Sequence, residues 1–120
     1  MSDAVLIVED EILIGEIVKI NLRLRKINCI VATTGREGIE LFESQCPSVV
    51  LLDVRLPDTD GWEVCKKLKK LNPGSAIIFM TAATQAKDRE LAKEAGADDF
   101  IEKPFDISEL VSMVKKYRNT

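Results

Sequence analysis

Five short runs of consecutive apolar residues punctuate the chain: AVLIV at 4–8, CIVA at 29–32, VVLL at 49–52, AIIFM at 76–80 and FI at 100–101. Their apolarity is continuous rather than alternating and rich in β-branched residues, which predicts strands buried on both faces. Between the runs the spacing becomes helical. From Glu11 to Lys26, Leu13, Ile17, Ile20 and Leu24 recur at i, i+4, i+7 and i+11, and Ile14 and Val18 widen the stripe. This stripe is the predicted packing face of a first helix. Thr34 is placed to cap a second helix carrying Ile39 and Phe42, while Trp62, Cys65 and Leu68 share the face of a third. Leu91, Ala92 and Ala95 mark a shorter and more polar fourth helix. Asp106, with Glu109 three residues on, resembles a capping box ahead of Ile107, Leu110, Val111, Val114 and Tyr117.

Five strand–helix repeats joined by short connections predict an α/β domain. Right-handed crossovers then give a parallel sheet with helices on both faces. No Gly/Ser/Pro-rich linker divides residues 1–120, which are expected to form a single domain. The chain ends about where its fifth helix ends, leaving little room for a second domain, and Met1 close to the first strand favours a natural N-terminus. KKYRNT at the other end fits either a stand-alone protein or a piece of a longer one.

In such a sheet, ligands bind outside the carboxyl ends of the strands, so the residues following each run carry the functional signal. Glu9, Asp10 and Glu11 follow the first run, Asp53 the third, Thr81 the fourth, and Lys103–Pro104 the fifth; the second is followed by Thr33 and Thr34. Four strand ends therefore bring carboxylates, a hydroxyl and an ammonium to one edge.

Composition narrows the chemistry. A net charge of −3 and a pI near 5.1 give no basic footprint for nucleic acid, and Lys66, Lys67, Lys69 and Lys70 are expected on a solvated helix face. Histidine is absent, and Cys29, Cys46 and Cys65 are odd in number with no CxxC pair. That argues against a zinc site or a disulfide framework, fits a reducing cytoplasm, and leaves the cysteines as small core filler. MSDAVLIVEDE has neither a basic leader nor an apolar run long enough for a membrane span.

Carboxylates gathered this way repel one another and raise each other's pKa unless a cation joins them. Oxygen ligands without His or thiolate favour an ion of the Mg²⁺ type, which would also make the edge hospitable to a phosphoryl group. Thr81 could then donate to a phosphoryl oxygen, Lys103 could pair with another, and Asp53 becomes a candidate nucleophile for an aspartyl phosphate.

VEDE, LLDVRLPDTDGW, MTA and FIEKPF, in this order and on this pattern, resemble the response-regulator receiver domain of two-component signalling, over essentially the whole chain. The resemblance implies a flavodoxin-like (βα)₅ fold with sheet order 2-1-3-4-5. It also implies Mg²⁺-dependent phosphotransfer to Asp53 from a histidine kinase or phosphotransfer protein, followed by autodephosphorylation, with a downstream effector or fused output domain as the receiving partner. Asp10 and Asp53 would ligate Mg²⁺ with the backbone carbonyl of Arg55, and Glu9, standing where many members have Asp, would act directly or through water. Thr81 and Phe100 would form the switch, with Lys103–Pro104 as a cis peptide. Ala82 would leave the phosphate accessible, and Arg55 and Ala83 would tune its lifetime. The protein would be cytoplasmic, a monomer or a phosphorylation-dependent dimer through its fourth and fifth helices, and would catalyse only its own phosphorylation and dephosphorylation.

Structural roles compete for several of these residues. Asp10 could cap the first helix, Thr81 could bond its own loop, and Lys103 could be an ordinary surface lysine. Thr84 is the better cap for the fourth helix, which frees Thr81. Asp58 and Asp60 lie in a Pro/Gly turn that favours Asp for backbone reasons, so both stay outside the expected site. A phosphatase of the haloacid-dehalogenase type needs a second Asp where Arg55 stands. A flavodoxin-type FMN binder needs a phosphate loop where three acids stand. A receiver-like module without phosphorylation would not need the full set of Asp10, Asp53, Thr81 and Lys103.

Overall fold

The structure, a computed structural model, describes residues 2–82 and 86–118. Strands β1 (Ser2–Val8), β2 (Cys29–Ala32), β3 (Pro47–Asp53), β4 (Ala76–Thr81) and β5 (Asp99–Glu102) alternate with helices α1 (Ile12–Leu24), α2 (Gly35–Gln45), α3 (Gly61–Leu71), α4 (Ala86–Glu94) and α5 (Ile107–Arg118). The strands form one parallel sheet of order β2-β1-β3-β4-β5. Thr84 and Ala83, the expected cap and tuning residue, and Met1 lie outside the described residues.

Period-two alternation divides the strand side chains between two cores. Val5, Ile7, Val49, Leu51, Ile78 and Met80 pack with Val18 and Leu22 of α1 and Leu110, Val111 and Val114 of α5. Leu6, Val8, Val50, Leu52, Ile77 and Phe79 pack on the other side with Phe42, Val64, Cys65, Leu68 and Ala92 of α2, α3 and α4. Burial of both strand faces explains why the runs read as continuous. Thr34 caps α2 by accepting from the Glu37 amide at 3.0 Å, and Asp106 caps α5 by accepting from the Ser108 amide at 2.9 Å.

Helix α1 departs from the expected orientation. Leu13, Ile17, Ile20 and Leu24 are 78%, 50%, 53% and 75% exposed, and the buried residues are Gly15, Val18 and Leu22, with Ile14 packed beside them. The helix is apolar on most of its circumference, so periodicity alone finds two stripes and favours the one with larger side chains. The sheet selects the other. Gly15 lies on the buried stripe, where an added Cβ would stand in ordinary van der Waals contact with Val31 at 3.4 Å. Cys46 also differs from expectation. It is an exposed residue at the end of α2 with φ of 47°, whereas Cys29 and Cys65 are buried.

The orientation of α1 has a measurable consequence. Leu22→Ala should lower the unfolding free energy by about 2–5 kcal/mol, as for a fully buried leucine. Leu13→Ala should change it by no more than about 0.5 kcal/mol. Urea denaturation distinguishes the two, and a larger loss at Leu13 would return the first stripe to the core.

Candidate functional site

Asp53 is the last residue of β3, the strand flanked by β1 and β4. In register, Leu52 lies beside Val8 and Asp53 beside Met80, so Glu9 leaves β1 and Thr81 ends β4 at the same level. Thr81 pairs with Glu102 on β5, and the Lys103 amide donates to the Thr81 carbonyl at 2.8 Å. The peptide bond from Lys103 to Pro104 is cis. Parallel register thus sets the four strand ends side by side.

Their side chains converge. The Lys103 ammonium donates to Glu9 Oε1 at 2.5 Å and to Asp53 Oδ2 at 3.2 Å. Asp53 Oδ1 accepts from the Arg55 amide at 3.2 Å, and Glu9 Oε2 accepts from the Glu11 amide at 3.1 Å. One carboxylate oxygen each from Glu9, Asp10 and Asp53 lies within 4.8 Å of the others. Glu9 is fully buried, Asp53 and Thr81 nearly so, and Asp10 is exposed. Asp10, Asp53, Arg55, Thr81, Ala82 and Lys103 line a common pocket.

The electrostatics follow from this crowding. Burial raises the Glu9 carboxyl, the Lys103 hydrogen bond pulls it back, and neighbouring Asp53 raises it again, leaving it at about 7. Burial lowers the Lys103 ammonium, but Glu9 and the Asp53 charge outweigh that effect and hold it above its ordinary value. One ammonium does not neutralise three carboxylates. The residual negative charge and an all-oxygen donor set suit a hard divalent cation such as Mg²⁺.

Phe100 is not part of this pocket. It is half-buried on β5, registers beside Phe79, and carries the Arg89 guanidinium 5.6 Å from its ring centroid. Arg89 also pairs with Glu102 at 2.9 Å. Asp10 does not cap α1, whose N-cap is Glu11 without a side-chain capping bond. Asp60 caps α3, accepting from the Glu63 amide at 2.9 Å, as its turn position suggests. Asp58 instead reaches two amides of α2, a contact between distant segments that sequence spacing does not reveal. Gly61 is required sterically, because a Cβ there would stand 2.4 Å from the Asp53 carbonyl oxygen.

A parallel (βα)₅ sheet with an acidic pocket at the ends of its strands defines a signalling-domain class that comparison with known proteins identifies. Residues 5–115 match the response regulator receiver domain family, and the chain belongs to it. It is 41% identical over 107 residues to a probable transcriptional regulatory protein, TcrX, of Mycobacterium tuberculosis, covering 89% of this chain and 46% of that protein. The chain thus spans about half the length of that relative. A CheY-like receiver domain protein from Methanospirillum hungatei superposes with a TM-score of 0.94 at 29% identity, over 99% of this chain and 95% of the other. A putative response regulator from Chloroflexus aurantiacus gives 0.92 at 30% identity over all of both chains. Among the described residues no helix is long and apolar enough to cross a membrane.

The raised Glu9 carboxyl predicts a pH dependence of opposite sign to that of an ordinary surface acid. Its folded pKa, about 7, exceeds the ordinary glutamate value of 4.5. Its stabilising contribution is therefore full below about pH 4.5 and is lost as pH rises through about 7. In metal-free buffer the stability of the wild type relative to Glu9→Gln should fall across that interval by on the order of 2–3 kcal/mol. Denaturation at several pH values in EDTA measures this difference; a flat difference would mean that Glu9 titrates normally.

Proposed function

We propose that this domain is a phosphorylation-activated switch. It accepts a phosphoryl group on Asp53 from a histidine of a sensor kinase or phosphotransfer protein, in a Mg²⁺-dependent reaction, and later loses it to water. The observation that carries this reading is the setting of Asp53, a nearly buried carboxylate with Lys103 on one oxygen, the Arg55 amide on the other, and two further carboxylates beside it.

Asp10 and Asp53 would hold Mg²⁺ with the Arg55 carbonyl, and Glu9 would do so directly or through water. The bound ion would offset negative charge on the phosphoryl oxygens. The chain's own groups do the remaining work. An Asp53 oxygen attacks phosphorus while the bond to the donor imidazole nitrogen breaks, and that nitrogen keeps the electron pair. Lys103, already 3.2 Å from Asp53 Oδ2, pairs with a phosphoryl oxygen, and the Thr81 hydroxyl donates to another. Movement of Thr81 makes room for the Phe100 ring. Because Arg89 lies over that ring and pairs with Glu102, rotation of Phe100 rearranges the face shared by α4, β5 and α5. That face would report the phosphorylation state to an effector or fused output domain, or to a second copy. Water attack on the aspartyl phosphate resets the switch, through the opening left by the small side chain of Ala82. No catalysis beyond this cycle is required, and residues 1–120 would constitute one receiver domain acting in the cytoplasm.

The exposed stripe of α1 supports a helical phosphodonor. Leu13, Ile17, Ile20 and Leu24 have the alternating four- and three-residue spacing of a helix-packing seam. A groove bordered by Glu11, Ile14 and Ile17 runs over Ala82, Lys103 and Pro104, and shares Glu11, Ala82 and Lys103 with the carboxylate pocket. A helix seated on the stripe would lie beside Asp53.

Incubation with Mg²⁺ and acetyl phosphate should add about one phosphoryl group to the intact mass, and EDTA or Asp53→Asn should abolish the adduct. Absence of an adduct with both the small donor and a competent kinase would overturn the reading. Leu13→Asp should leave labelling by acetyl phosphate intact while slowing transfer from the partner histidine protein about tenfold or more. Equal losses with both donors would show that α1 does not dock the partner.

A further inference from the structure

The loop that follows Asp53 is closed on itself. Arg55 and Asp60 form an antiparallel bridge. The Leu56 amide donates to the Thr59 carbonyl at 3.3 Å, and the Gly61 amide donates to the Val54 carbonyl at 2.6 Å. Tip and base are therefore linked by backbone hydrogen bonds and should move together. Arg55, at the base, lines the carboxylate pocket.

Asp58, at the tip, is bonded to a different part of the chain. Its Oδ1 accepts from the Gly35 amide at 2.8 Å and its Oδ2 from the Arg36 amide at 3.0 Å. Gly35 and Arg36 are the first two residues of α2, where backbone amides have no partner inside the helix. Thr34 supplies the acceptor for the third, at Glu37. Contact between loop and helix is close as well as polar. A Cβ on Gly35 would stand 2.4 Å from Thr59 Cγ2 and 3.0 Å from Val64 Cγ2, so α2 and the loop meet with no room for a side chain. The two amides hold the Asp58 carboxyl below its ordinary range, as hydrogen bonds to an ionised acceptor do. A local turn preference accounts for an Asp at this position but not for bonds that reach back 23 and 22 residues.

We propose that Asp58 is a positioning residue for cation binding: by anchoring the loop tip to the first turn of α2, it holds the Arg55 carbonyl toward the carboxylate pocket. The proposal rests on the reading of Asp10, Asp53 and Arg55 as Mg²⁺ ligands. Without the anchor, the loop keeps its internal bonds and the core packing of Val54 and Leu56 but loses its hydrogen bonds to α2, and with them part of the restraint on the exposed Arg55 between those two residues. Asp10 and Asp53 then have to bind the ion with a less fixed third ligand.

Calorimetric titration of the whole, unphosphorylated chain with MgCl₂ tests this without reference to phosphotransfer. Asp58→Ala should weaken Mg²⁺ binding by about tenfold, the lower end of the effect of groups that orient metal ligands. Asp58→Asn removes the same charge yet keeps one acceptor for an α2 amide, so it should recover part of that loss. Thr34→Ala removes the other cap on α2 without touching the loop. It should lower the melting temperature and leave Mg²⁺ affinity unchanged. Thermal melts of every variant establish that each is folded at the titration temperature, and Asp58→Asn serves if Asp58→Ala is not.

Wild-type affinity in Asp58→Ala overturns the inference alone. Equal weakening in Asp58→Ala and Thr34→Ala overturns it in favour of simple helix capping. Identical weakening in Asp58→Asn and Asp58→Ala overturns it in favour of a long-range charge effect. A wild-type chain that binds no Mg²⁺ overturns the metal reading, and this inference with it.

Discussion

The Lys103 ammonium lies 2.5 Å from Glu9 and 3.2 Å from Asp53, and the ends of β1, β3 and β5 are arranged around that cation. Two carboxylates removed from water at this distance would repel strongly without it. The lysine is held from behind, because its own amide donates to the Thr81 carbonyl and so continues the β4–β5 pairing by one residue. Sheet register and site electrostatics are therefore one constraint. Moving β5 by one residue would remove the ammonium from Glu9 and turn its side chains to the opposite face of the sheet. One lysine leaves the pocket with an excess of negative charge, which favours a cation and, without one, would repel a phosphoryl group.

The fold was legible because burial on both strand faces leaves a clear trace in sequence. VVLL and AIIFM have no polar residue to interrupt them, and each alternate residue is used by a different core. The strand ends were legible for a related reason: polar residues after such runs have one edge of the sheet to occupy. The packing face of α1 is not legible because its apolar residues nearly encircle it, and amphipathic spacing is informative only when one face is polar. Turn propensity suffices to explain Asp58 in the sequence, and its partners on α2 are close in space but distant along the chain. The Arg89 guanidinium over the Phe100 ring is likewise invisible in sequence, because the two residues lie on different elements at a spacing that resembles no motif.

Two aspartates in one loop do different work with the same chemistry. Asp60 satisfies the amide of Glu63 in its own helix, and Asp58 satisfies amides of another helix. The loop between β3 and α3 thus joins two helix N-termini to the strand that carries Asp53. Backbone pairing and capping hold it, together with Val54 and Leu56, which pack into the core on the α2–α3 side of the sheet, while the Arg55 side chain between them is exposed.

The close approach of Gly61 to the Asp53 carbonyl adds a condition of a different kind. The segment from Val54 to Asp60 works as a spacer of fixed length: its hydrogen bonds count residues as well as hold them. Side chains at Arg55, Pro57 or Thr59 can be exchanged without altering that count. An inserted or deleted residue would instead bring a Cβ against the strand end, or put the bridge between Arg55 and Asp60 out of step. Divergence in this loop should therefore proceed by replacement rather than by change of length, even though it is exposed and rich in turn residues, where insertions are ordinarily tolerated.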